Sequence, residues 1–405
     1  MTLANAVPPA QAQRVAPETS NGVARSLLVD VAAGLAALIR AFGDQIEQER
    51  RLPAALVEML VHAGLFRMAV PRSLGGLEVD PVTMARVVEE LSAADGSVGW
   101  CVSLAYQLGG TAAFLPEQAA RQIFGSPDAI LAGVARPIGR AVPVEGGYRV
   151  SGRWPFASGS SHATWFAGEC LIVDGDEPRR DADANPVSYL FFFPETDCTI
   201  YDTWTAIGLR GTASNDFSVT DIFVPAERSF AFHAGTPRID APMYQEKVFW
   251  FLGHGSHALG IARSALATVI EMAVAKHAFS GRGGLQEQVR LQAQVAEAQA
   301  LIESGRAYLY LVAEAAWQQA AAGQPLSDGQ RAQVRLATST AARNARLAVD
   351  LLHGAAGTAA IFAESPLDRQ FRDIHTAVAH VMIGAGTYEA AGRVALGLSA
   401  GMPFF

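Results

Sequence analysis

The sequence has few cysteines, no long apolar run and no excess of basic residues. Among 405 residues there are three cysteines, Cys101, Cys170 and Cys198, which are odd in number and far apart. This argues against a disulfide scaffold or a cysteine-based zinc site and favours a reducing cytoplasm. No stretch reaches the roughly 20 uninterrupted apolar residues that span a bilayer, so no membrane association is expected. The net charge of −8 argues against nucleic-acid binding, which usually needs a basic face.

Other absences limit the chemistry further. The glycine-rich segments form neither a P-loop nor a dinucleotide fingerprint between strand and helix, so a tightly bound nicotinamide is not expected. His254 and His257 stand three residues apart with no Cys, Asp or Glu nearby, and no metal site is predicted. Residues 1–22 are rich in Ala, Pro and Gln and lack the apolar core of a signal peptide. They are predicted to be a disordered leader.

The chain does contain enough apolar residues for a large core, since 50% of it is hydrophobic, and its length predicts two or three domains. Apolar residues recur at helical spacing over residues 23–128, which predicts an N-terminal helical domain. Within it, a helix from Pro81 to Ala94 is expected to have Asp80 as its N-cap. Short strand-forming runs over residues 129–235, separated by Gly, Pro and Asp, predict a small antiparallel β-barrel. The charged segment 174–185 within it is expected to be an exposed loop.

Residues 236–405 return to a helical pattern, interrupted by short glycine- and proline-containing breaks. Long helices joined by short loops predict an antiparallel four-helix bundle. The fold class is therefore α+β, with a helical domain, a small barrel and a helical bundle in that order. The predicted bundle helices are Phe249–His277, Leu285–Ala322, Ser327–His353 and Arg369–Leu398.

The most informative segment is Gly152–Trp165, which has the composition of a strand, a Ser/Gly-rich turn and a second strand. One interpretation is an ordinary turn of the β domain. The other is a turn that faces a ligand, because glycine permits close approach of the backbone and Ser158 offers a hydroxyl group. Composition alone leaves both open.

Three segments occur in the order found in the acyl-CoA dehydrogenase superfamily, which the chain resembles from about Ser26 onward. They are Gly152–Trp165, Ile207–Pro225 and Arg369–Asp373. The resemblance implies a helix–barrel–helix fold, usually assembled as a homotetramer. It also implies a flavin ring held between the barrel and the C-terminal bundle.

The residues after the last of these segments indicate which branch the chain resembles. An acyl-CoA dehydrogenase needs a carboxylate base to remove the α-proton of a thioester. Residues 372–386 contain no Glu, and residues 248–259 contain neither Asp nor Glu. His380 stands in that region instead, with His375 nearby; on one helix these two would lie about 140° apart and could not form a metal pair. The chain therefore resembles the flavin-dependent monooxygenase branch, the oxygenase components of two-component systems.

That resemblance implies roles for particular residues. His380, and secondarily His375, are the catalytic candidates, since an imidazole beside the flavin would deprotonate a phenol or hydrogen-bond a heteroatom. Ser158 is expected beside flavin N5, where its contact would help stabilise the C4a-hydroperoxide formed from reduced flavin and O₂. Arg282 is expected to reach a flavin phosphate across a subunit contact. The other cofactor-binding candidates are Trp154, Phe156, Gly159, Arg210, Thr212, Ser214 and Arg369.

Three aromatic residues, Trp100, Tyr106 and Trp250, are the substrate-binding candidates. Related enzymes often have a histidine on the helix that follows Gly99-Trp100, and here Tyr106 or Gln107 is expected at that place. The resemblance implies hydroxylation of a small aromatic or heteroaromatic compound by reduced FMN or FAD and O₂, with a separate NAD(P)H-flavin reductase. Two alternatives stay open: an acyl-CoA dehydrogenase-type oxidoreductase with an unrecognised base, and a non-catalytic flavin-fold binding subunit. The substrate and the oxygenated atom, carbon, nitrogen or sulfur, are also open.

Overall fold

The computed structural model describes residues 21–275, 284–402 and 405. The first helix begins at Asn21, so the last two residues of the predicted leader are helical and its other residues lie outside the described part. Asp80 caps the fourth helix as predicted, accepting hydrogen bonds from the backbone N–H groups of Val82 and Thr83 (3.2 and 3.1 Å). The N-terminal helices are α1 (Asn21–Ala41), α2 (Gly43–Glu49), α3 (Ala54–His62), α4 (Pro81–Ala94), α5 (Gly96–Gly110) and α6 (Glu117–Phe124).

The middle of the chain forms one mixed sheet in the order β6-β7-β2-β1-β3-β5-β8, with β4 paired to β3. Its centre is a hairpin of β1 and β2, closed by Gly146 in the left-handed region (φ 76°). The two-residue strand β4 lies in the predicted exposed segment 174–185, most of which is solvent-exposed. The strands are β1 (Leu131–Val144), β2 (Gly147–Ala157), β3 (Trp165–Asp174), β4 (Glu177–Pro178), β5 (Ser188–Pro194), β6 (Thr199–Tyr201), β7 (Asn215–Pro225) and β8 (Ser229–Phe230).

The prediction of a closed antiparallel barrel was wrong in two respects. Among the described residues, β6 and β8 are the two ends of an open sheet and do not pair with each other. In addition, β1 pairs in parallel with β3, with a register shift between Val134 and Gly139. The chain leaves the β1–β2 hairpin at its β2 end and returns on the far side of β1, so β3 runs in the same direction as β1. Local composition carries no signal for such a long-range pairing.

Trp154 fills the core of this sheet. Its indole is fully buried and stacks on Phe217 with ring centroids 4.9 Å apart. The indole N–H donates to the backbone carbonyl of Glu169 (2.9 Å). A Cβ atom at Gly139 or Gly168 would collide with the ring, so these glycines make the space that the indole occupies.

Replacing Trp154 with alanine is expected to lower the free energy of unfolding by about 3–5 kcal/mol, because it leaves an indole-sized cavity in a packed core. Phe156→Ala, two residues further along the same strand, is the matched control because Phe156 is 64% exposed. Chemical denaturation of both variants measures the difference. Equal midpoints for the two would contradict the assignment of Trp154 to the core.

The C-terminal part is helical, but its last predicted helix is interrupted. Instead of one helix over Arg369–Leu398, the chain forms a helix that ends at Ala377, a 3₁₀ turn at Val381–Ile383 and a further helix that begins at Ala385. His375 and His380 therefore do not share a helix, and the helical-wheel angle between them does not apply. The helices are α7 (Pro242–Gln245), α8 (Leu252–Ala275), α9 (Val289–Ala321), α10 (Asp328–Ala356), α11 (Pro366–Ala377) and α12 (Ala385–Ala395).

Helix α8 lies at the centre of this bundle and contacts α4, α9, α10 and α11. Together with the preceding 3₁₀ turn it spans Lys247–Ala275, and among the described residues it is the one helix long and apolar enough to cross a membrane by length and composition. Residues 252–262 are all buried against neighbouring helices. Core packing therefore accounts for its apolar character.

Candidate active site

The Ser/Gly-rich turn begins where β2 ends and is bound to the loop that precedes β7. Gly159 adopts a left-handed conformation (φ 83°), and its N–H donates to the carbonyl of Thr212 (2.7 Å). The buried Ser158 hydroxyl lies 2.6 Å from Ser214 Oγ, which lies 2.7 Å from Thr212 Oγ1. The indole N–H of Trp100, on α5, donates to Ser158 Oγ (3.1 Å). The structure thus brings Ser158, Gly159, Thr212 and Ser214 together, with Trp100 directly beside them.

The loop before β7 is held in place from α11. Leu209 has a left-handed backbone (φ 49°), and its N–H donates to Asp373 Oδ1 (2.6 Å). Burial, reinforced by nearby Asp95, raises the pKa of Asp373 to about 8, while burial also raises the pKa of Asp95. Asp95 caps α5 through the N–H groups of Ser97 and Val98. The segment Arg369–Asp373 therefore fixes, through Asp373, the loop that carries Thr212 and Ser214.

Three imidazoles contact the indole ring of Trp100. The ring centroids of His254 and His257, on α8, lie 5.3 and 5.1 Å from the indole, and that of His380 lies 5.6 Å from it. The His254 and His380 rings are 4.4 Å apart. Sequence reasoning placed His380 at the site but assigned His254 and His257 no role there.

Burial keeps these histidines neutral at pH 7. It lowers the pKa values of His257 and His380 to about 4, with Arg335 adding to the effect at His380. Burial, followed by His380, Arg335 and His257, lowers the pKa of His254 well below its usual value. Among the described residues, no side chain in ring or hydrogen-bond contact with Trp100 carries a carboxylate.

Hydrogen bonds select the tautomer of each ring. The backbone N–H of Met382 donates to His380 Nδ1 (3.3 Å), so the neutral ring carries its proton on Nε2. The contact of His257 Nε2 with the carbonyl of Gly96 (2.8 Å) requires the proton on Nε2 and leaves Nδ1 as an acceptor. The Gln107 amide nitrogen lies 3.4 Å from His254 Nε2, which leaves the proton on His254 Nδ1. The cluster thus offers N–H donors on His380 and His254 and an unprotonated acceptor nitrogen, Nδ1, on His257.

Several polar atoms around this cluster are buried and have no hydrogen-bond partner in the part of the chain that the structure describes. They include Ser103 Oγ on α5 and the Nδ1 atoms of His254 and His257. Arg335, on α10, also has buried side-chain nitrogens without a partner among the described residues. The sequence did not point to it, because an arginine in an amphipathic helix is normally expected on the exposed face. Buried polar groups are normally paired, so this concentration of unpaired atoms is typical of a ligand site.

Four of the predicted residues lie away from this cluster. Trp154 is inside the sheet core, and Tyr106 donates its hydroxyl to the carbonyl of Val79 (3.2 Å) on another face of α5, so Gln107 rather than Tyr106 faces the histidines. The Trp250 indole donates to the carbonyl of Met243 (3.3 Å) and packs edge-on against Phe114. Its neighbour Phe251 instead stacks on His254, with ring centroids 6.3 Å apart. His375 Nε2 is bonded to Asp350 Oδ1 (2.8 Å) and has no ring contact with Trp100.

The predicted cationic ligands of the cofactor are engaged with acids where the structure describes them. Arg369 Nη2 lies 2.9 Å from Asp44, and its Nη1 lies 3.8 Å from Asp95. Arg210 Nε lies 3.3 Å from Glu47 Oε1. Arg282 lies outside the described residues.

Phe156 differs from the other aromatic residues of β2. It is exposed and has a positive φ of 68°, a conformation that costs a non-glycine residue of order 1–3 kcal/mol. Its ring meets that of Trp204 edge-on at 6.2 Å. An exposed aromatic ring held in a strained backbone position near Ser158 suits contact with a planar ligand.

Comparisons with known proteins agree with this geometry. Residues 24–120 match the family described as Acyl-CoA dehydrogenase, N-terminal domain, and residues 252–384 match Acyl-CoA dehydrogenase, C-terminal domain. Indole-3-acetate monooxygenase of Pseudomonas putida is 32% identical over 87% of this chain and 89% of that enzyme. The chain belongs to the acyl-CoA dehydrogenase family, in its flavin-dependent monooxygenase branch.

Two further relatives of this monooxygenase support the same branch. The FADH(2)-dependent resorcinol hydroxylase, oxygenase component, of Rhizobium sp. is 30% identical over 90% of this chain and 93% of that protein. The structure of XiaF from Streptomyces sp. in complex with FADH2 and glycerol superimposes with a TM-score of 0.87 and 27% identity, covering 95% of this chain and 98% of that one. The monooxygenase therefore shares both fold and sequence with flavin-using oxygenase components over nearly its whole length.

Proposed function

We propose that this chain is the oxygenase component of a two-component system that hydroxylates a small aromatic or heteroaromatic compound with O₂ and reduced FMN or FAD. A separate NAD(P)H-dependent reductase supplies the reduced flavin. The observation that carries the proposal is the arrangement around Trp100, whose indole N–H donates to the Ser158 hydroxyl and whose ring contacts three neutral histidines. The bound forms of relatives, such as XiaF with FADH2, support the choice of cofactor.

The residues present fit a flavin between the sheet and the C-terminal helices. Reduced flavin together with O₂ supplies the transferred oxygen atom and the electrons. The linked hydroxyls of Ser158, Ser214 and Thr212 would hydrogen-bond a polar edge of the flavin, and the exposed ring of Phe156 would pack against it. The apolar surroundings of Trp100, Leu209 and their neighbours exclude water, which limits premature proton transfer.

His380 orients the substrate in this proposal. Because its Nδ1 accepts the Met382 N–H, its Nε2–H is left to donate to a heteroatom or hydroxyl of the aromatic ring. With a pKa of about 4 the ring stays neutral at pH 7, so His380 acts as a hydrogen-bond donor and not as a positive charge. His254 Nδ1–H and His257 Nδ1 add a donor and an acceptor within the same cluster.

The two alternatives are less well supported. Thioester dehydrogenation needs a carboxylate base, and the groups in contact with Trp100 offer imidazoles instead. Asp95 and Asp373, the buried acids of this region, are occupied as a helix cap and as the acceptor of the Leu209 N–H. A non-catalytic binding subunit is disfavoured because relatives that cover nearly the whole chain are named as a monooxygenase and a hydroxylase.

Assembly and location form part of the proposal. Exposed apolar side chains on the C-terminal helices support a homotetramer, and Arg282 is proposed to reach the flavin phosphate of a neighbouring subunit. The three cysteines are unpaired, which supports a cytoplasmic protein. Light scattering of the purified chain measures the assembly. The exposed apolar residues on these helices include Ile270 and Val274 on α8 and Val289 and Leu311 on α9.

The function is tested by mixing the complex of protein and reduced flavin with oxygenated buffer. We expect a transient absorbance that precedes the return of oxidised flavin, and hydroxylated product when an aromatic substrate is present. Ser158→Ala is expected to shorten the transient roughly tenfold, because one hydrogen bond to the cofactor is lost. Hydrogen peroxide released per flavin oxidised rises accordingly.

Ser161→Ala is the matched control, since Ser161 belongs to the same turn but is exposed. It should leave the transient unchanged. Direct return of oxidised flavin without a transient, with every aromatic compound tested, would contradict the proposed function. A transient equally long in Ser158→Ala would contradict only the role of Ser158.

A further inference from the structure

Arg335 is a buried cation that pairs with no acidic side chain among the described residues. It is 1% exposed, and within the same part of the chain two of its guanidinium nitrogens, Nε and Nη1, have no hydrogen-bond partner. The third, Nη2, donates to the carbonyl of Met382 (2.9 Å). Burial lowers the pKa of Arg335 to about 10, which still leaves the group charged at neutral pH.

Two other arginines of the chain show how a buried or partly buried guanidinium group is normally hydrogen-bonded. Arg331, one turn earlier on α10, makes two hydrogen bonds to Glu246 (2.9 and 3.0 Å). The buried Arg67 donates to the carbonyls of Leu74 and Phe124 (both 2.7 Å) and to that of Ser126. An unpaired buried charge costs several kcal/mol, so the arrangement at Arg335 is unfavourable unless a ligand completes it.

The surroundings of Arg335 are aromatic and neutral. Its guanidinium carbon lies 4.5 Å from the ring centroid of Phe251, which stacks on His254. Met382 connects it to His380, because Met382 accepts from Arg335 through its carbonyl and donates to His380 Nδ1 through its N–H. The Arg335 charge also contributes to lowering the pKa values of His254 and His380. The cation therefore belongs to the same cluster as Trp100.

We infer that Arg335 binds an anionic oxygen group of the aromatic substrate, a carboxylate or an ionised phenol, while the substrate ring lies against the aromatic cluster of Trp100, His254 and His380. Charged hydrogen bonds from a planar guanidinium suit such oxygens. The neutral histidines leave Arg335 as the positive charge of the cluster. This inference rests on the proposed function in one respect, because it takes the bound anion to be part of the substrate. The test measures binding and requires no turnover.

The test compares two pairs of probes that differ in the anionic group. Indole-3-acetate is paired with 3-methylindole, and ionised 4-nitrophenol is paired with 4-nitrotoluene. Isothermal titration uses the full chain, first alone and then with reduced FAD under nitrogen. We expect the anionic member of at least one pair to bind about 30-fold more tightly than its neutral partner. The pair that shows the preference identifies the carboxylate or the phenolate as the group recognised.

Arg335→Met is expected to abolish that preference by weakening the anionic probe and leaving the neutral one unchanged. Its melting temperature should not fall, because methionine fills a similar volume and removes an unpaired buried charge. Arg335→Lys retains the charge but not the planar fork, so it should keep part of the preference. Arg343→Met, an exposed arginine two turns further along α10, is the matched control and should bind as the wild type does.

Equal affinities within both pairs would overturn the inference, as would a preference that persists in Arg335→Met. Weaker flavin binding in Arg335→Met with the anionic preference intact would assign the residue to the cofactor and also overturn it. Failure of the flavin to bind, with the preference for anions present in the chain alone, would instead count against the proposed function and leave Arg335 as the anion-binding residue.

Discussion

Replacing His380 with alanine is expected to lower the rate of product formation about 100-fold, the typical contribution of a positioned hydrogen-bonding or proton-transferring side chain. The affinity for reduced flavin should change little, because the turn that carries Ser158 is held by Trp100, Thr212 and Ser214 and not by His380. Flavin oxidation then continues and releases hydrogen peroxide in place of product. Product yield and peroxide yield per flavin oxidised, measured together, check this result.

His380→Gln separates two roles for the imidazole. A glutamine amide can place an N–H donor near the position of Nε2 but cannot accept a proton at neutral pH. If His380 acts as the donor that its contact with the Met382 N–H implies, His380→Gln retains much of the product yield. If it acts as a base toward a phenol, His380→Gln is as inactive as His380→Ala.

His375→Ala provides the comparison between the two histidines that the sequence singled out. Its imidazole is bonded to Asp350 and half-buried at the outer side of α10 and α11, without contact to Trp100. We expect wild-type product yield for this variant. A loss as large as that in His380→Ala would show that the catalytic histidine is His375 and that the cluster around Trp100 is misassigned.

The features predicted correctly from the sequence are those with strong local signals. The cap at Asp80 follows from an acidic residue before a proline, and the helix–sheet–helix order follows from a change in hydrophobic period. Ser158 and His380 are different, because the family resemblance and not a local signal singled them out, and their roles stay predictions. The structure places both beside Trp100.

The features missed depend on contacts between distant segments. Arg335 lies 235 residues from Trp100 along the chain, and nothing in the local pattern of α10 distinguishes it from the paired Arg331. From the sequence, His254 and His257 were considered only as a possible metal pair. Their burial and neutral charge result from the packing of α5 and α10 on α8, which the local sequence does not show. The open sheet likewise depends on the pairing of β1 with β3, which sequence alternation does not specify.

Acidification from pH 7 to pH 5 is expected to destabilise the folded chain strongly. Burial lowers the pKa values of His162, His257 and His380 to about 4, below the value near 6.5 of an unfolded histidine. Between these two values the unfolded chain binds protons that the folded chain does not, so stability falls as the pH falls. Each of the three contributes a loss of roughly 2 kcal/mol over this interval.

Asp373 acts in the opposite direction, because burial beside Asp95 raises its pKa to about 8. Its proton is bound in the folded chain but not in the unfolded chain between pH 4 and pH 8, so this group gains stability on acidification. Asp95, whose pKa is also raised, adds to that gain, and His254, whose pKa is lowered, adds to the loss. Over these two pH units Asp373 regains roughly 2.7 kcal/mol, so the three histidines and Asp373 together leave a net loss of roughly 3 kcal/mol. That is a sizeable part of the roughly 5–15 kcal/mol typical of a folded protein.

His257→Gln tests the cause of this loss. Glutamine can keep the hydrogen bond to the carbonyl of Gly96 but does not titrate, so the variant should lose roughly 2 kcal/mol less than the wild type between pH 7 and pH 5. His62→Gln, at an exposed histidine, is the control and should follow the wild-type curve. Denaturant unfolding at closely spaced pH values measures the three slopes. Identical slopes for wild type and His257→Gln would show that His257 is already protonated in the folded chain at pH 5, and the neutral cluster on which the active-site assignment depends would then be wrong.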